Sequence, residues 1–289
     1  MVRCCAGALL LLGAWAAYTQ NQSKQPPQLI VNKINNDLYE IEGDGGNVAV
    51  YITNAGVIMV DDKYEQDYDQ IMSKVKSVTD QPIRYILSTH YHADHSGGNT
   101  KFASGSEIIS TLNAHNNIVN KVQSNAPPNM VPARVTFTQG TDLFLGGKHV
   151  QARYYGRGHT NGDAVIYFPD LRVVHTGDLV TVAQKGMPPT TPLIDYPGGG
   201  SIVEWTKTLD AAMKLDFETV IPGHGAVTNK AGLQTYRDNV AKLRTRVSGL
   251  IHEGKSKDEV AKFLTAEYHW QPDSLPMQWS LPGMMTELK

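Results

Sequence analysis

Cysteine is almost absent from this 289-residue chain, whose two cysteines are Cys4 and Cys5. Both lie in a segment with the pattern of a removable signal, so the mature chain would contain none. That absence excludes disulfides, a thiol nucleophile and cysteine ligands to a metal. Stability must then come from an ordinary core, for which a 41% hydrophobic content is adequate.

An excess of one charge is lacking as well. The 26 basic and 28 acidic residues give a formal net charge of −2, without strong blocks of either sign. A nucleic-acid-binding surface needs clustered Lys and Arg, so nucleic acid is not an expected partner. A small-molecule substrate is the partner that we predict, and the sequence leaves the oligomeric state open.

The apolar run from Cys4 to Trp15 is too short to span a bilayer, which takes about 20 residues. It follows a short positive segment with Arg3 and ends at a small-x-small cleavage pattern, Ala14-Trp15-Ala16. We therefore predict export to the periplasm or the medium, without a membrane anchor after cleavage. The predicted divisions are a signal peptide over 1–16, a flexible leader over 17–28 and a single domain over 29–289.

Four potential metal ligands fall within the six residues HYHADH that begin at His90. The run Ile83–Thr89 before them is apolar and β-branched and predicts a strand, and the cluster Ser96–Asn99 after them breaks regular structure. The ligands therefore sit on a loop at the carboxyl end of a strand, where open sheets usually place their sites. Imidazole and carboxylate together suit Zn²⁺, with Fe or Mn as alternatives.

Three further candidate ligands follow in order along the chain. His159 lies in a glycine-rich turn, Asp178 ends the strand-like run Val173–Thr176, and His224 ends another strand-like run. Strands and helices succeed one another in two halves, which predicts two mixed sheets packed face to face with helices outside.

In order and spacing these residues resemble the metallo-β-lactamase superfamily, whose pattern is H-x-H-x-D-H, then His, then Asp, then His. The resemblance spans nearly the whole mature chain and implies the α/β fold of that family, an αβ/βα sandwich, with two zinc ions per chain. Asp61 would orient the histidine loop by hydrogen bonds. The implied ligands are His90, His92 and His159 for one zinc, Asp94, His95 and His224 for the other, and Asp178 as the bridge.

The implied chemistry is hydrolysis by a hydroxide shared between two zinc ions, since metals lower the pKa of bound water from 15.7 to about 7. Asp94 would act as the catalytic residue that orients the hydroxide and passes its proton to the leaving group. The chain has no G-x-S-x-G motif to supply a competing serine nucleophile. An amide, ester, lactone or thioester is the expected substrate.

The resemblance to secreted metallo-β-lactamases favours opening of an amide or β-lactam bond. Asp178 together with His95 is similar instead to acyl-homoserine lactonases and hydroxyacylglutathione hydrolases (glyoxalase II). A lactonase or thioester hydrolase is therefore the alternative, and a persulfide dioxygenase with one iron is a more distant one. A nuclease of the tRNA-processing branch would need the basic face that the charge balance does not supply.

An irregular stretch over 180–200 separates Asp178 from His224 and should rim the cleft, because long loops in compact domains are often functional. Within it, Lys185 could pair with a substrate carboxylate and Tyr196 could cover an apolar group. Asn161, in the turn of His159, is a third candidate substrate contact. The glycine-rich hairpin tip over 42–47 is either a flap over the substrate or a plain surface turn.

Overall fold

The first half of the chain forms a seven-stranded sheet whose strands lie in sequence order. The computed structural model describes residues 27–183 and 192–289, so the predicted signal peptide, most of the leader and Lys185 lie outside the described residues. Strands one to four pair antiparallel, and four to seven pair parallel. The strands are β1 (Ile30–Lys33), β2 (Leu38–Glu42), β3 (Val48–Thr53), β4 (Gly56–Val60), β5 (Ile83–Leu87), β6 (Glu107–Thr111) and β7 (Val135–Phe137).

The second half forms a six-stranded sheet in the order β13-β12-β11-β10-β9-β8. Only β11 and β12 pair parallel within it, so both sheets are mixed. The strands are β8 (Gly140–Leu145), β9 (Lys148–Tyr154), β10 (Ala164–Phe168), β11 (Val173–His175), β12 (Thr219–Ile221) and β13 (Thr228–Asn229).

Helices cover the outer face of each sheet. Of two helical turns at the HYHADH segment, α2 (Ala93–Ser96) contains its last three residues and α3 (Asn99–Phe102) follows it, while the long α6 (Lys230–His252) lies over the second sheet. None of the helices in the described ranges has the length and apolarity needed to cross a membrane. The helices are α1 (Tyr68–Lys76), α2 (Ala93–Ser96), α3 (Asn99–Phe102), α4 (Leu112–Val119), α5 (Ile202–Ala212), α6 (Lys230–His252), α7 (Lys257–Tyr268) and α8 (Leu281–Glu287).

Apolar side chains from both sheets interdigitate to form the central layer of the core. Tyr51 from the first sheet meets Phe168 from the second edge to face, with ring centroids 5.3 Å apart. Outside the sheets, Ile71 and Val75 of α1 pack on the first and Trp205 of α5 on the second. The predicted αβ/βα sandwich is confirmed.

Parallel pairing sets the place of the site. Strand β5 ends at Leu87 just before the histidine segment, and the parallel neighbours β11 and β12 end just before Asp178 and His224. Because the carboxyl ends of parallel strands meet at one edge of a sheet, these loops are gathered at one end of the sandwich.

Candidate metal centre

Three imidazoles converge at this edge. The Nδ1 atom of His92 lies 3.1 Å from Nε2 of His90 and 2.9 Å from Nε2 of His159. All three side chains are buried. The loop after β5 holds His92, and the loop between β9 and β10 holds His159. These two residues, 67 positions apart in the sequence, therefore meet in one cluster.

The remaining ring nitrogen of each of these histidines is engaged by another group. His92 Nε2 lies 2.9 Å from Asp195 Oδ2, and His159 Nδ1 lies 2.6 Å from the carbonyl oxygen of Leu193. His90 Nδ1 lies 3.1 Å from Thr89 Oγ1. This division of the two nitrogens, one held by the protein and one facing the cluster, is how metal-binding histidines are fixed in orientation.

A second cluster contains Asp94, His95 and His224. Nε2 of His224 lies 3.2 Å from both Asp94 Oδ2 and His95 Nε2. His95 is fully buried, whereas the side chains of Asp94 and His224 are 21% and 36% exposed. This cluster therefore forms the more open side of the site.

Asp178 lies between the two clusters and offers one oxygen to each. Its Oδ1 is 3.2 Å from His95 Nε2 and 3.4 Å from His224 Nε2. Its Oδ2 is 3.6 Å from His159 Nε2. The sequence-based prediction placed Asp178 between two groups of three ligands, and the structure brings all seven predicted ligands together in that arrangement.

Asp61 lies behind the histidine segment, as expected for a residue that orients it. Its carboxylate accepts hydrogen bonds from the backbone N–H of Thr89 at 2.6 Å and from Thr89 Oγ1 at 2.8 Å. Its Oδ2 also lies 2.7 Å from His95 Nδ1. One buried carboxylate thus fixes both the end of β5 and the ring of His95.

The electrostatics of the two clusters differ. Burial lowers the pKa of His159 to about 4 and that of His90 well below its usual value, so both present neutral nitrogens. Burial acts to lower the pKa of His224, but the charge of Asp178 and the hydrogen bonds with Asp178 and Asp94 together outweigh it and raise that pKa to about 9. Burial opposes ionisation of Asp178, yet the charges of His224 and His95 hold its pKa well below the usual value. The carboxylates that stabilise these imidazolium protons are equally suited to attract a divalent cation.

The donor set fits zinc. Zn–N bonds of 2.0–2.1 Å at a tetrahedral angle would separate ligand nitrogens by roughly 3.3 Å. The separations of 3.1 and 2.9 Å among His90, His92 and His159 are close to that value. Three ring nitrogens aimed at one point, each on a ring whose other nitrogen is already held, have no packing rationale among the described residues.

The hairpin tip between β2 and β3 is neither a free flap nor a plain surface turn. A Cβ added to Gly46 would lie 2.2 Å from His95 Cε1, so only glycine lets the tip pack this closely. The side-chain amide of Asn47 donates to the carbonyl oxygens of Pro222 and Gly225, at 3.0 and 2.8 Å. The tip therefore holds the loop of His224 against the loop of His95.

The three candidate substrate contacts meet different outcomes. Tyr196 donates its hydroxyl to Glu287 of α8 at 2.7 Å and packs with the second-sheet core, so its ring serves the C-terminal helix. Asn161 Oδ1 accepts a hydrogen bond from Asn117 at 3.0 Å beside the turn of His159. Lys185 lies outside the described residues. A substrate contact by any of the three stays a prediction.

Sequence reasoning missed Asp195, which the structure places in contact with His92. The carboxylate also accepts a short hydrogen bond from the hydroxyl of Tyr91. A polar residue in an irregular loop 103 positions from its partner carries no spacing signal. The only available hint was that the loop containing Asp195 lies between Asp178 and His224.

Comparison with known proteins agrees with this geometry. The family model described as "Metallo-beta-lactamase superfamily" matches residues 41–224, which contain all seven candidate ligands. A "Metallo-beta-lactamase type 2" of Elizabethkingia meningoseptica is 20% identical over 235 residues, covering 77% of this chain and 89% of the relative. "Metallo-beta-lactamase IND-1" of Chryseobacterium indologenes is 25% identical over 182 residues, covering 62% and 71% of the two chains.

Solved structures show the same fold. A metallo-beta-lactamase from Pontibacter korlensis superposes with a TM-score of 0.63 at 18% identity, covering 74% of this chain and 99% of its own. The DIM-1 metallo-beta-lactamase superposes with a TM-score of 0.63 at 19% identity, covering 75% of this chain and 99% of its own. With the family match spanning more than half of the sequence and the ligand positions inside it, the chain belongs to the metallo-beta-lactamase superfamily and is a metal-dependent hydrolase.

Proposed function

We propose that this protein is an exported hydrolase with two zinc ions per chain, which opens an amide bond of the β-lactam type or a related ester. The observation that carries the proposal is the position of Asp178, with one carboxylate oxygen toward each ligand cluster. Such a carboxylate can hold two divalent cations together against their mutual repulsion.

The residues that would hold the metals are those of the two clusters. His90, His92 and His159 would bind one zinc, and Asp94, His95 and His224 the other, with Asp178 shared. When bound, paired zinc ions polarise a substrate carbonyl and lower the pKa of water to about 7.

Asp94 is the residue best placed to handle the proton. Its side chain is partly exposed at the open side of the site, while its Oδ2 stays 3.2 Å from His224 Nε2. A carboxylate in that position can accept a proton from water and release it to the leaving nitrogen or oxygen. The charges of His95 and His224 and the hydrogen bond with His224 overcome the effect of burial and hold the pKa of Asp94 below its usual value, so the side chain is ionised and has a free acceptor oxygen.

Two substrate classes have support. The relatives named metallo-beta-lactamases, at 20% and 25% identity, favour a β-lactam amide. The shared carboxylate of Asp178 favours a lactone or thioester, since it is the feature by which the sequence resembles lactonases and glyoxalase II. The proposal ranks the β-lactam first, and the two classes separate in one assay.

The test combines metal analysis with a turnover panel. Zinc-loaded protein should contain about two zincs per chain and hydrolyse nitrocefin faster than an acyl-homoserine lactone or S-lactoylglutathione. Asp178→Ala should bind about one zinc and lose on the order of 100-fold in turnover. Asp170→Ala, an exposed carboxylate in the same half of the chain, is the matched control and should behave like the parent.

Preference for the lactone or the thioester would move the function to the alternative class. A single tightly held iron, or full zinc occupancy and parental turnover in Asp178→Ala, would contradict the dinuclear hydrolase altogether.

Export is a separate part of the proposal, supported by Arg3, the apolar run and the Ala14-Trp15-Ala16 pattern. Mass spectrometry of periplasmic or secreted material should give an amino terminus near Ala17. An intact Met1 in soluble cytosolic protein would overturn the export proposal and make a thioester of a cytosolic thiol a stronger candidate.

A further inference from the structure

The C-terminal segment is fixed to the loop that holds the three-histidine cluster. Ser280 is buried and bonds both ways to the backbone of Ile194: Ile194 N–H donates to Ser280 Oγ at 2.8 Å, and Ser280 Oγ donates to the Ile194 carbonyl at 3.0 Å. The neighbours of Ile194 are Leu193, which contacts His159, and Asp195, which contacts His92. The position of residue 280 is therefore tied to the position of the cluster.

Glu287 of α8 makes a second attachment to the same loop. Its carboxylate accepts hydrogen bonds from Tyr196 Oη at 2.7 Å, from the backbone N–H of Ile202 at 3.1 Å, and from the hydroxyl of Ser201. With one anchor at Ser280 and another at Glu287, the segment has little freedom to move relative to the cluster.

Trp279, next to the first anchor, lies against the cluster. Its ring centroid is 5.9 Å from that of His92, with the planes tilted by 48°. The indole is half-buried, so part of its surface is accessible while the ring lies beside that of His92. An indole offers a large flat apolar surface at low cost in conformational entropy, because only two torsions orient it.

We propose that Trp279 determines specificity by providing an aromatic wall for the substrate beside the three-histidine cluster. The fitting substrate class is an amide or ester whose acyl group carries an aryl or comparably large apolar substituent. This inference rests on the proposed hydrolytic function and extends it to the acyl side of the substrate. The segment that carries the wall lies beyond residue 224, where the family match ends.

The experiment compares acyl groups that differ only in the aryl ring. Benzylpenicillin carries a phenylacetyl group, and 6-aminopenicillanic acid is the same nucleus without it. Trp279→Ala should lower kcat/KM for benzylpenicillin by about 10-fold, mainly through KM, and leave the unsubstituted nucleus within about twofold. Trp279→Phe should recover most of the loss. Leu275→Ala, an exposed apolar residue just before the same segment, should match the parent.

A binding measurement makes the inference independent of turnover. Hydroxamates bind metals without being hydrolysed, so calorimetric titration with phenylacetohydroxamate and acetohydroxamate reports the aryl preference directly. The parent should bind the phenylacetyl compound about 10-fold more tightly, and Trp279→Ala should bind both alike at unchanged zinc content.

The outcomes separate the two proposals. If the parent hydrolyses none of the substrates but shows an aryl preference that Trp279→Ala loses, the hydrolytic proposal fails and the aromatic wall stands. If Trp279→Ala weakens both acyl groups equally, or neither, the aromatic wall is overturned whatever the turnover.

Discussion

A histidine ligand is only as well placed as the group that holds its second nitrogen. For His92 that group is Asp195, and for His159 it is a backbone carbonyl in the same loop. The positions of the candidate ligands could be predicted from the sequence, because their order and spacing resemble the metallo-β-lactamase pattern. Asp195 could not, because its place depends on the path of a loop that Ser280 and Glu287 hold from the far end of the chain.

Replacing Asp195 should therefore weaken the metal without removing a ligand. Asp195→Ala leaves His92 Nε2 without its acceptor, so we expect zinc affinity at the three-histidine cluster to fall about 10- to 100-fold. Competition with a chromophoric chelator measures the affinity. Tyr91→Phe keeps the carboxylate of Asp195 and should lower the zinc affinity less. Asp80→Ala, on the exposed surface, should leave the zinc affinity unchanged. Parental affinity in Asp195→Ala would show that the loop alone orients His92.

At the scale of elements, most strands could be predicted from their apolar runs, and β6, β8 and the two-residue β13 could not. Strand β6 is a short buried run containing Ser110 and Thr111, so it lacks a continuous apolar signal. Strand β8 lies at the edge of the second sheet and alternates between exposed and half-buried residues. By contrast, the stripe of α6 from Leu233 to Leu250 is buried as its spacing predicts.

The hairpin tip between β2 and β3 gives a prediction about an element that the sequence left undecided. Gly46→Ala would place a methyl group 2.2 Å from the His95 ring, so either the tip or the ring must move. We expect loss of about one zinc per chain and a lower melting temperature, measured by plasma emission and calorimetry. Gly105→Ala is the control, because its added Cβ meets nothing within 4 Å. Full zinc content in Gly46→Ala would mean that the tip is not coupled to His95.

Strand β2 carries a buried acid, Glu40, whose Oε1 has no hydrogen-bond partner within the described ranges. Burial raises its pKa from 4.5 to about 7. The folded state thus favours the protonated form of Glu40. Its contribution to stability is fully present below pH 4.5 and is lost as the pH rises through 7. Between pH 5 and pH 8 the free energy of unfolding should therefore fall less in Glu40→Gln than in the parent. The difference between the two falls should be on the order of 2 kcal/mol. Urea unfolding at both pH values measures this difference.

Glu253→Gln, an exposed acid after α6, should follow the parent in the same titration. An identical pH dependence in the parent and in Glu40→Gln would show that Glu40 reaches solvent or gains a partner on ionisation.

At the scale of the whole molecule, the two halves could be predicted to pack as a sandwich because each supplies strands that need a cover on both faces. What the sequence could not give is how the halves are joined at the site. The side chain of Asn47 from the first half bonds to the backbone around Pro222 of the second, and His95 meets His224. These contacts join residues that are far apart in the sequence, so no local sequence pattern predicts them.

Zinc removal should thus destabilise the whole fold and not only the cleft. A ligand that binds only the native state adds RT ln(1 + [L]/Kd), so tightly held zinc should raise the melting temperature by on the order of 10 °C. Chelation followed by zinc addition should reverse the change, while magnesium should not, since it disfavours imidazole ligands. Asp178→Ala should show a smaller shift. A melting temperature indifferent to chelation would contradict the metal-centre assignment.

The distance along the chain between partners at the site has one more consequence. His95 and His224 are separated by 129 positions, and Asn47 and Pro222 by 175. Closing loops of that size is slow, and it must precede any tight metal site. A half-assembled molecule has only the neighbouring histidines of one loop to offer, so we expect it to bind little metal. Bound zinc should therefore mark completed folding, and activity per zinc should stay constant between preparations even where activity per milligram varies.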